Sequence, residues 1–270
     1  MPIRPIRDGA ARERIGMMHR REWPYRAVIR TALAFFRVLG FRFDLRGVDN
    51  VPATGGAVLA SNHVSYFDFM FVGLSAYRRG RRLVRFMAKQ AVFDHRVSGP
   101  LMRAMKHIPV DRAAGAGSYR HAVESLRAGE LVGVFPESTI SRSYVPRPLK
   151  SGAARMALEA GVPLIPVVTW GGHRVWTVGR KPVWKRRVAV SVWVDEPMSV
   201  IPGESAADLT ARLAIRLREL VDKVLSEYPD RPPGDDWWLP HHVGGSAPTP
   251  EEAAVAEAAA MAAKRARGRS

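Results

Sequence analysis

The chain has 270 residues, 47% apolar and 25% charged, an ordinary globular balance that can bury the core of one large domain or two modest ones. It has no cysteine, which excludes disulfides, thiolate nucleophiles and cysteine-based zinc sites. A net charge of +17 either keeps the protein soluble or points to nucleic acid, an anionic membrane surface or anionic substrates.

The start, "MPIRPIRDGAARERIG", is basic but has no apolar run behind it, so no signal peptide is expected, and no run of about 18 uncharged apolar residues predicts a membrane span. Trp23 to Gly40 predicts a helix, with Pro24 in its first turn and Gly40 as its stop. Its charges, Arg26, Arg30 and Arg37, fall within roughly 40° of one another at about 100° per residue. Two readings fit: an interfacial helix with Leu33, Phe35 and Phe36 among acyl chains, or a core helix with a solvated stripe.

Ala57 to Ala60 reads as a buried strand, followed by a helix from about Ser65, with Ser65 and Asp68 at capping-box spacing. Arginines at 78, 79, 81, 82 and 85 run into a strand at "LVRFMAK". A short helix at "SGPLMRAMKH", an extended "IPVDR" and a helix from an N-cap at Ser118 to Gly129 come next. "LVGVFPES" predicts a strand entering a loop, "SGAARMALEAGV" a helix, and "PLIPVVTW" and "RVAVSVWV" two strands. A long amphipathic helix follows, with Ser205 and Asp208 as its capping box. This alternation predicts a single α/β domain with a mixed, largely parallel sheet flanked by helices, preceded by the N-terminal amphipathic helix and trailed by a loose C-terminal tail. The expected divisions are 1–45, 46–230 and 231–270, the last Pro/Gly/Ala-rich and partly disordered, with Trp237 and Trp238 packed back onto the domain.

In "SNHVSYFDFM", a helix start near Ser65 leaves His63 about one turn from Asp68. Asp68 can be a simple helix cap. Alternatively, a carboxylate on one imidazole nitrogen fixes the tautomer and supports the imidazolium formed when the other takes a proton, which suits base catalysis on a substrate hydroxyl. G-x-S-x-G, H-E-x-x-H, Walker and G-x-G-x-x-G motifs are missing, and His241-His242 lacks partners at metal-ligand spacing.

Four blocks in order carry a resemblance: "NHVSYFD", "HIPVDR", "FPEST" and "VPLIPV". The sequence resembles the glycerolipid acyltransferase family, PlsC-like enzymes, whose blocks are Asn-His-x4-Asp, one with a substrate-phosphate arginine, Phe-Pro-Glu-Gly-Thr-Arg, and Val-Pro-x-x-Pro. The likeness implies an O-acyltransferase that moves an acyl chain from acyl-CoA or acyl carrier protein to lysophosphatidic acid in phospholipid biosynthesis. It implies His63 and Asp68 as the catalytic pair, Arg112 on the acceptor phosphate, and Glu137, Ser138, Thr139, Lys89 and Lys150 as further substrate contacts. Ser138 stands where the family has Gly, Ile140 where it has Arg, and His107 where Gly is common. Arg142, two residues on, is the candidate to replace the missing arginine; the change at Ile140 leaves glycerol-3-phosphate, another lysophospholipid or a glycolipid as alternative acceptors. Oxyanion donors are expected among the backbone N–H groups near Asn62 or the following helix start. The donor is a co-substrate; no cofactor or metal is expected. A peripheral or monotopic place on the cytoplasmic face of the cell membrane is expected, held through the N-terminal helix. The rival from another class, a basic nucleic-acid-binding protein, has the charge but no recognition motif, so no nucleic acid partner is expected.

Overall fold

A computed structural model describes residues 22–111, 115–230, 234 and 236–267. The first helix, α1 (Trp23–Leu39), ends on Gly40 at φ +66°, a conformation that glycine adopts without the Cβ clash of other residues. After it come β1 (Arg42–Arg46), β2 (Ala57–Ser61), α2 (Asp68–Arg78), β3 (Val84–Lys89), the short α3 (Gln90–Asp94) and α4 (Ser98–Ala104), and β4 (Ile108–Val110). The chain continues through α5 (Gly115–Arg127), β5 (Leu131–Val134), α6 (Gly152–Ala160), β6 (Leu164–Trp170), β7 (Ala189–Val194), α7 (Ala206–Glu227) and α8 (Pro250–Arg267). Helix α5 starts three residues before Ser118, which therefore lies within its first turns rather than capping it. The Ser205–Asp208 capping box of α7 is present in full.

The strands form one seven-stranded sheet in the order β1-β7-β6-β2-β5-β3-β4. From β6 to β4 all neighbours are parallel; β7 runs antiparallel to β6 and carries β1 parallel on its outer edge. Strands β2, β5, β6 and β7 are buried along their whole length, as strands covered on both faces must be.

Two crossovers place the site. From β2 the chain passes over β5 to β3 by way of α2, and from β5 it passes back over β2 to β6 by way of α6. Right-handed connections running in opposite directions lie on opposite faces. Accordingly Phe71 and Val72 of α2 join the core that holds Phe36 of α1, and Ala153 to Ala157 of α6 join the other, with α5 and α7. The loops leaving β2 and β5 diverge to opposite faces, and the crevice between them is where open α/β sheets bind ligands.

Helix α1 is a packed helix on one side. Tyr25, Phe36 and Leu39 are buried; Phe36 stacks on Phe41 at 5.4 Å between centroids, and the Tyr25 hydroxyl donates to Val84 O at 2.8 Å. Phe36 therefore belongs to the core rather than to a lipid-facing surface. Arg30 and Arg37 are exposed about 120° round the helix from that face, with Trp23 and Val38 exposed beyond them. Glu22, just before the helix, is buried against Arg85 and Lys106 at 2.7 Å each, so the helix start is pinned to β3. In the basic cluster, Arg79 and Arg82 donate to the carbonyls of Val51, Pro52, Gly55 and Gly129, and Arg85 pairs with Glu22 and Glu130. Those three guanidinium groups are structural ties.

At the other end Trp238 is fully buried and Trp237 is half-buried against the α5–α7 core, as the sequence suggests. Among the described residues no helix is long and apolar enough to cross a membrane.

Candidate active site

His63 stands in the loop after β2, and Asp68 is the first residue of α2. The helix begins two residues later than its capping-box signal predicts, with Phe67 rather than Ser65 at the cap, and that box is half formed. Asp68 Oδ2 accepts the Ser65 N–H at 2.7 Å, but the Ser65 hydroxyl accepts from Phe67 N at 3.1 Å and donates to Trp176 O at 2.9 Å. The carboxylate is held by more than a cap: Oδ2 also accepts from Val64 N at 2.7 Å and meets His63 Nδ1 at 3.0 Å, while Oδ1 accepts the Thr169 hydroxyl at 2.8 Å. Its side chain is 1% exposed, and these four donors replace the water it has lost. An ionised carboxylate only accepts, so the proton sits on Nδ1 and leaves Nε2 of the neutral ring as an acceptor. The imidazole, 20% exposed, lies flat on Phe135 at 4.2 Å.

Opposite it, Glu137 follows β5 and is buried. Its Oε1 accepts from His63 N at 2.8 Å and its Oε2 from Arg147 N at 3.0 Å, so it ties the β2 loop to the β5 loop across the crevice. Burial pushes its carboxyl up to about 8, against the pull of those two N–H donors, and the nearby Asp68 charge adds to the rise. Ser138, at the family's glycine position, has φ +65°, the left-handed conformation a glycine would hold without strain. Ser141 N then donates to His63 O at 2.7 Å, closing the loop under the histidine.

The loop from His63 to Asp68 leaves none of its N–H groups free as an oxyanion donor. Every N–H from His63 to Asp68 is engaged: His63 on Glu137, Val64 and Ser65 on Asp68, Tyr66 on Trp176 O, Phe67 on the Ser65 hydroxyl, and Asp68 on Ser65 O. The cause is the buried carboxylates, which take the loop's donors for themselves.

Ser138 and Thr139 are half-buried beside Glu137 in sequence, and Ile140, in place of the family's arginine, is buried. Lys89 is exposed at the carboxyl end of β3, and Lys150 is exposed, its N–H donating to Pro136 O. The Arg142 guanidinium lies against Gly179 in the loop after β6, so close that a Cβ there would sit 2.4 Å from Nη1. Arg112 lies outside the described residues, just past β4. His107 is buried, its Nδ1 accepting from Phe86 N at 3.1 Å, and burial helped by Arg85 lowers it to about 3.

Three contributors were not picked out from sequence. Thr169 braces Asp68 from β6; a single polar residue inside the apolar run "PLIPVVTW" was its signal. Asn62 is buried, exchanging bonds with Thr169 N at 2.8 Å and Thr169 O at 3.1 Å, which locks the end of β2 to β6. Phe135 begins a wall of rings leading away from His63: Phe86 lies 6.2 Å from it, and Phe69 and His107 lie 6.0 Å and 5.6 Å from Phe86. That wall ends in an apolar groove between α1, α2 and β3, lined by Val28, Ile29, Phe69, Met70, Leu83 and Met105 among others.

A histidine with Nδ1 fixed by a buried aspartate and Nε2 open, at the carboxyl ends of parallel strands and beside an apolar groove, defines an α/β enzyme equipped for base catalysis next to a greasy substrate. Residues 42–170 match the acyltransferase family model, which takes in all four sequence blocks. Over these residues the chain carries an acyltransferase domain, and it is an O-acyltransferase. It is 28% identical over 179 residues to the 1-acyl-sn-glycerol-3-phosphate acyltransferase of Bacillus subtilis, covering 65% of this chain and 86% of that one. A chloroplastic 1-acyl-sn-glycerol-3-phosphate acyltransferase of Brassica napus is 27% identical over 147 residues, covering 53% of this chain but only 41% of the plant protein. The fold matches the crystal structure of the 1-acyl-sn-glycerophosphate acyltransferase PlsC from Thermotoga maritima with a TM-score of 0.63 at 21% identity, over 78% of this chain and 83% of that one.

Proposed function

We propose that this protein transfers an acyl chain from a thioester, acyl-CoA or acyl carrier protein, to the free hydroxyl of 1-acyl-glycerol-3-phosphate, forming phosphatidic acid. The observation that carries the reading is the 3.0 Å contact between His63 Nδ1 and the buried Asp68, which leaves Nε2 as the ring's open acceptor. Nε2 removes the proton from the acceptor hydroxyl as its oxygen attacks the thioester carbonyl. Asp68 balances the imidazolium, and collapse of the tetrahedral intermediate expels the thiolate, which takes the proton back from Nε2. Attack is direct, with no acyl-enzyme. The acyl chain follows the ring wall from Phe135 into the groove beside α1, and Glu137 holds the two loops in register. Arg112, Lys89 and Lys150 serve the acceptor phosphate, and Ser138 and Thr139 line its approach, whereas Arg142, turned to Gly179, lies on the β6–β7 side; charge-assisted bonds of this kind suit a phosphate monoester. The exposed arginines, Trp23 and Val38 of α1 hold the enzyme against an anionic bilayer, where both lipid substrate and product reside.

The test is a turnover assay in detergent with palmitoyl-CoA, offering lysophosphatidic acid, glycerol-3-phosphate and a neutral glycolipid in parallel to wild type and His63→Ala. Phosphatidic acid formation that disappears in His63→Ala is the expected result. Equal rates in the two proteins would refute the base, and turnover confined to another acceptor would refute the substrate.

A further inference from the structure

A second concave site lies on the other side of the catalytic loop. The connection from β6 to β7 folds back on the loop after β2: the Thr177 hydroxyl donates to Val64 O at 2.7 Å, and Trp176 packs on Tyr66 at 4.6 Å. Gly172 allows the approach, since a Cβ there would lie 2.5 Å from the Phe71 ring and 3.0 Å from Ser65 Oγ. Between this connection and Trp237 is a cleft of about 310 Å³, lined by His173, Arg174, Thr177, Arg180, Lys181 and Trp237 among others. That volume is at the lower end of small-molecule sites, about 300–1,000 Å³.

The cleft's chemistry is specific. Arg174 is matched by Asp230 at 3.0 Å and packed on Trp238. Arg180 and Lys181 are exposed and make no ion pair with a described residue; the Arg180 guanidinium covers the Trp237 indole at 3.9 Å. His173 is buried, and its Nε2 lies 3.0 Å from Trp238 O, a carbonyl that can only accept. Nε2 therefore carries the proton. Burial keeps the ring neutral, so Nδ1 is an acceptor with no partner among the described residues, shut in by the Tyr144 and Trp170 rings at 4.6 Å and 4.5 Å. Two exposed cations match a ligand bearing phosphates, and the guanidinium laid over Trp237 offers its own planar face to a ring.

The sheet order says which substrate this is. Strands β3, which ends at Lys89, and β4 lie past β5 on one side of His63, whereas the cleft belongs to the β6–β7 side. Direct transfer requires both substrates at once, so if the acceptor phosphate is held on the β3–β4 side, as the proposed function has it, the donor enters from the other. We propose that this cleft binds the nucleotide end of a coenzyme A thioester, with Arg180 and Lys181 on its phosphates. The inference rests on the acyl-transfer reading above.

The test uses the full chain with Arg180→Glu/Lys181→Glu, a surface change compatible with folding. Losing two charge-assisted hydrogen bonds should raise KM for palmitoyl-CoA at least about tenfold, leaving KM for lysophosphatidic acid and for palmitoyl-pantetheine, which lacks the nucleotide, unchanged. Calorimetric binding of adenosine 3′,5′-bisphosphate should weaken in parallel, a readout independent of turnover. An unchanged KM for palmitoyl-CoA, a rise for lysophosphatidic acid instead, or turnover only with acyl carrier protein would each overturn the assignment. If wild type binds the bisphosphate but His63→Ala turns over as wild type does, the cleft stands and the catalytic reading falls.

Discussion

Asp68→Asn removes a charge while sparing the architecture around it. Oδ2 faces three donors, His63 Nδ1, Val64 N and Ser65 N, and Oδ1 faces only the Thr169 hydroxyl. An asparagine placing its oxygen at the Oδ2 position keeps all three, and its NH2 can donate to Thr169 Oγ1, because a hydroxyl accepts as well as donates. The reverse orientation sets an NH2 against two backbone N–H groups and is excluded. Stability should therefore fall by only about 1 kcal/mol. Catalysis loses the charge that balances the imidazolium. At an effective dielectric constant of about 20, unit charges about 4 Å apart interact by roughly 4 kcal/mol, which corresponds to a rate drop of about 10³-fold. Asp68→Ala should do something different: it strands Val64 N and Ser65 N in a buried loop at about 1–3 kcal/mol each and destabilises the fold. The assay pairs initial rates of phosphatidic acid formation with urea denaturation for each variant. A wild-type rate in Asp68→Asn, or a wild-type midpoint in Asp68→Ala, would show that the carboxylate does neither job.

Ser138→Gly should stabilise the protein by about 0.5–1 kcal/mol, since relief of the left-handed strain exceeds the added freedom of the unfolded chain; a lower urea midpoint would mean that the Ser138 side chain makes a contact worth more than the strain. Glu137→Gln should cost about 1–3 kcal/mol, because one end of the amide must face His63 N or Arg147 N with a donor. Its pH dependence has a definite sign. Glu137 is raised to about 8 in the fold, so its contribution is fully present below about 4.5 and lost as pH rises through about 8. The gap between wild type and Glu137→Gln should shrink between those values, and a constant gap would contradict the burial argument. His107 and His173, both lowered to about 3, act oppositely: their contribution is present above about 6.5 and lost as pH falls from there toward 3. Melting temperatures measured from pH 7 down to 4.5 should fall, and less steeply in His107→Phe even though that variant starts lower; an unaltered slope would exclude His107.

Where sequence order and spatial order coincide, the chain was readable. Strands β2, β5 and β6 are continuous apolar runs between turn residues, and the long α7 carries its whole capping box in four consecutive residues. Strand β1, "RFDLR", was not recognised: as an edge strand paired only with β7, it tolerates three charges in five residues, and its apolar signal is thin. The proposed catalytic pair was legible as a spacing, but its setting was not. Thr169 lies 101 residues from Asp68 and Glu137 lies 74 from His63, and neither separation leaves a local pattern. Bonds of both ranges occupy the loop: Glu137 and Trp176 take the N–H groups of His63 and Tyr66, and Asp68 takes those of Val64 and Ser65.

The excess positive charge becomes informative once the structural arginines are set aside. Arg79, Arg82, Arg85 and Arg174 are committed to carbonyls and carboxylates inside the fold, so they say nothing about partners. The exposed charge is unevenly placed. Arg30 and Arg37 lie on the outer side of α1, and the sequence "RKPVWKRR" from Arg180 to Arg187 is exposed throughout. These two segments touch: Arg187 N donates to Leu39 O at 2.8 Å, and Trp184 packs edge-on against Phe35 at 6.0 Å while remaining exposed. Cations and indole therefore share one flank, adjoining the loop that carries His63. The proposed bilayer surface and the proposed phosphorylated donor would both use this field, which is set apart from the buried carboxylates of the catalytic loop.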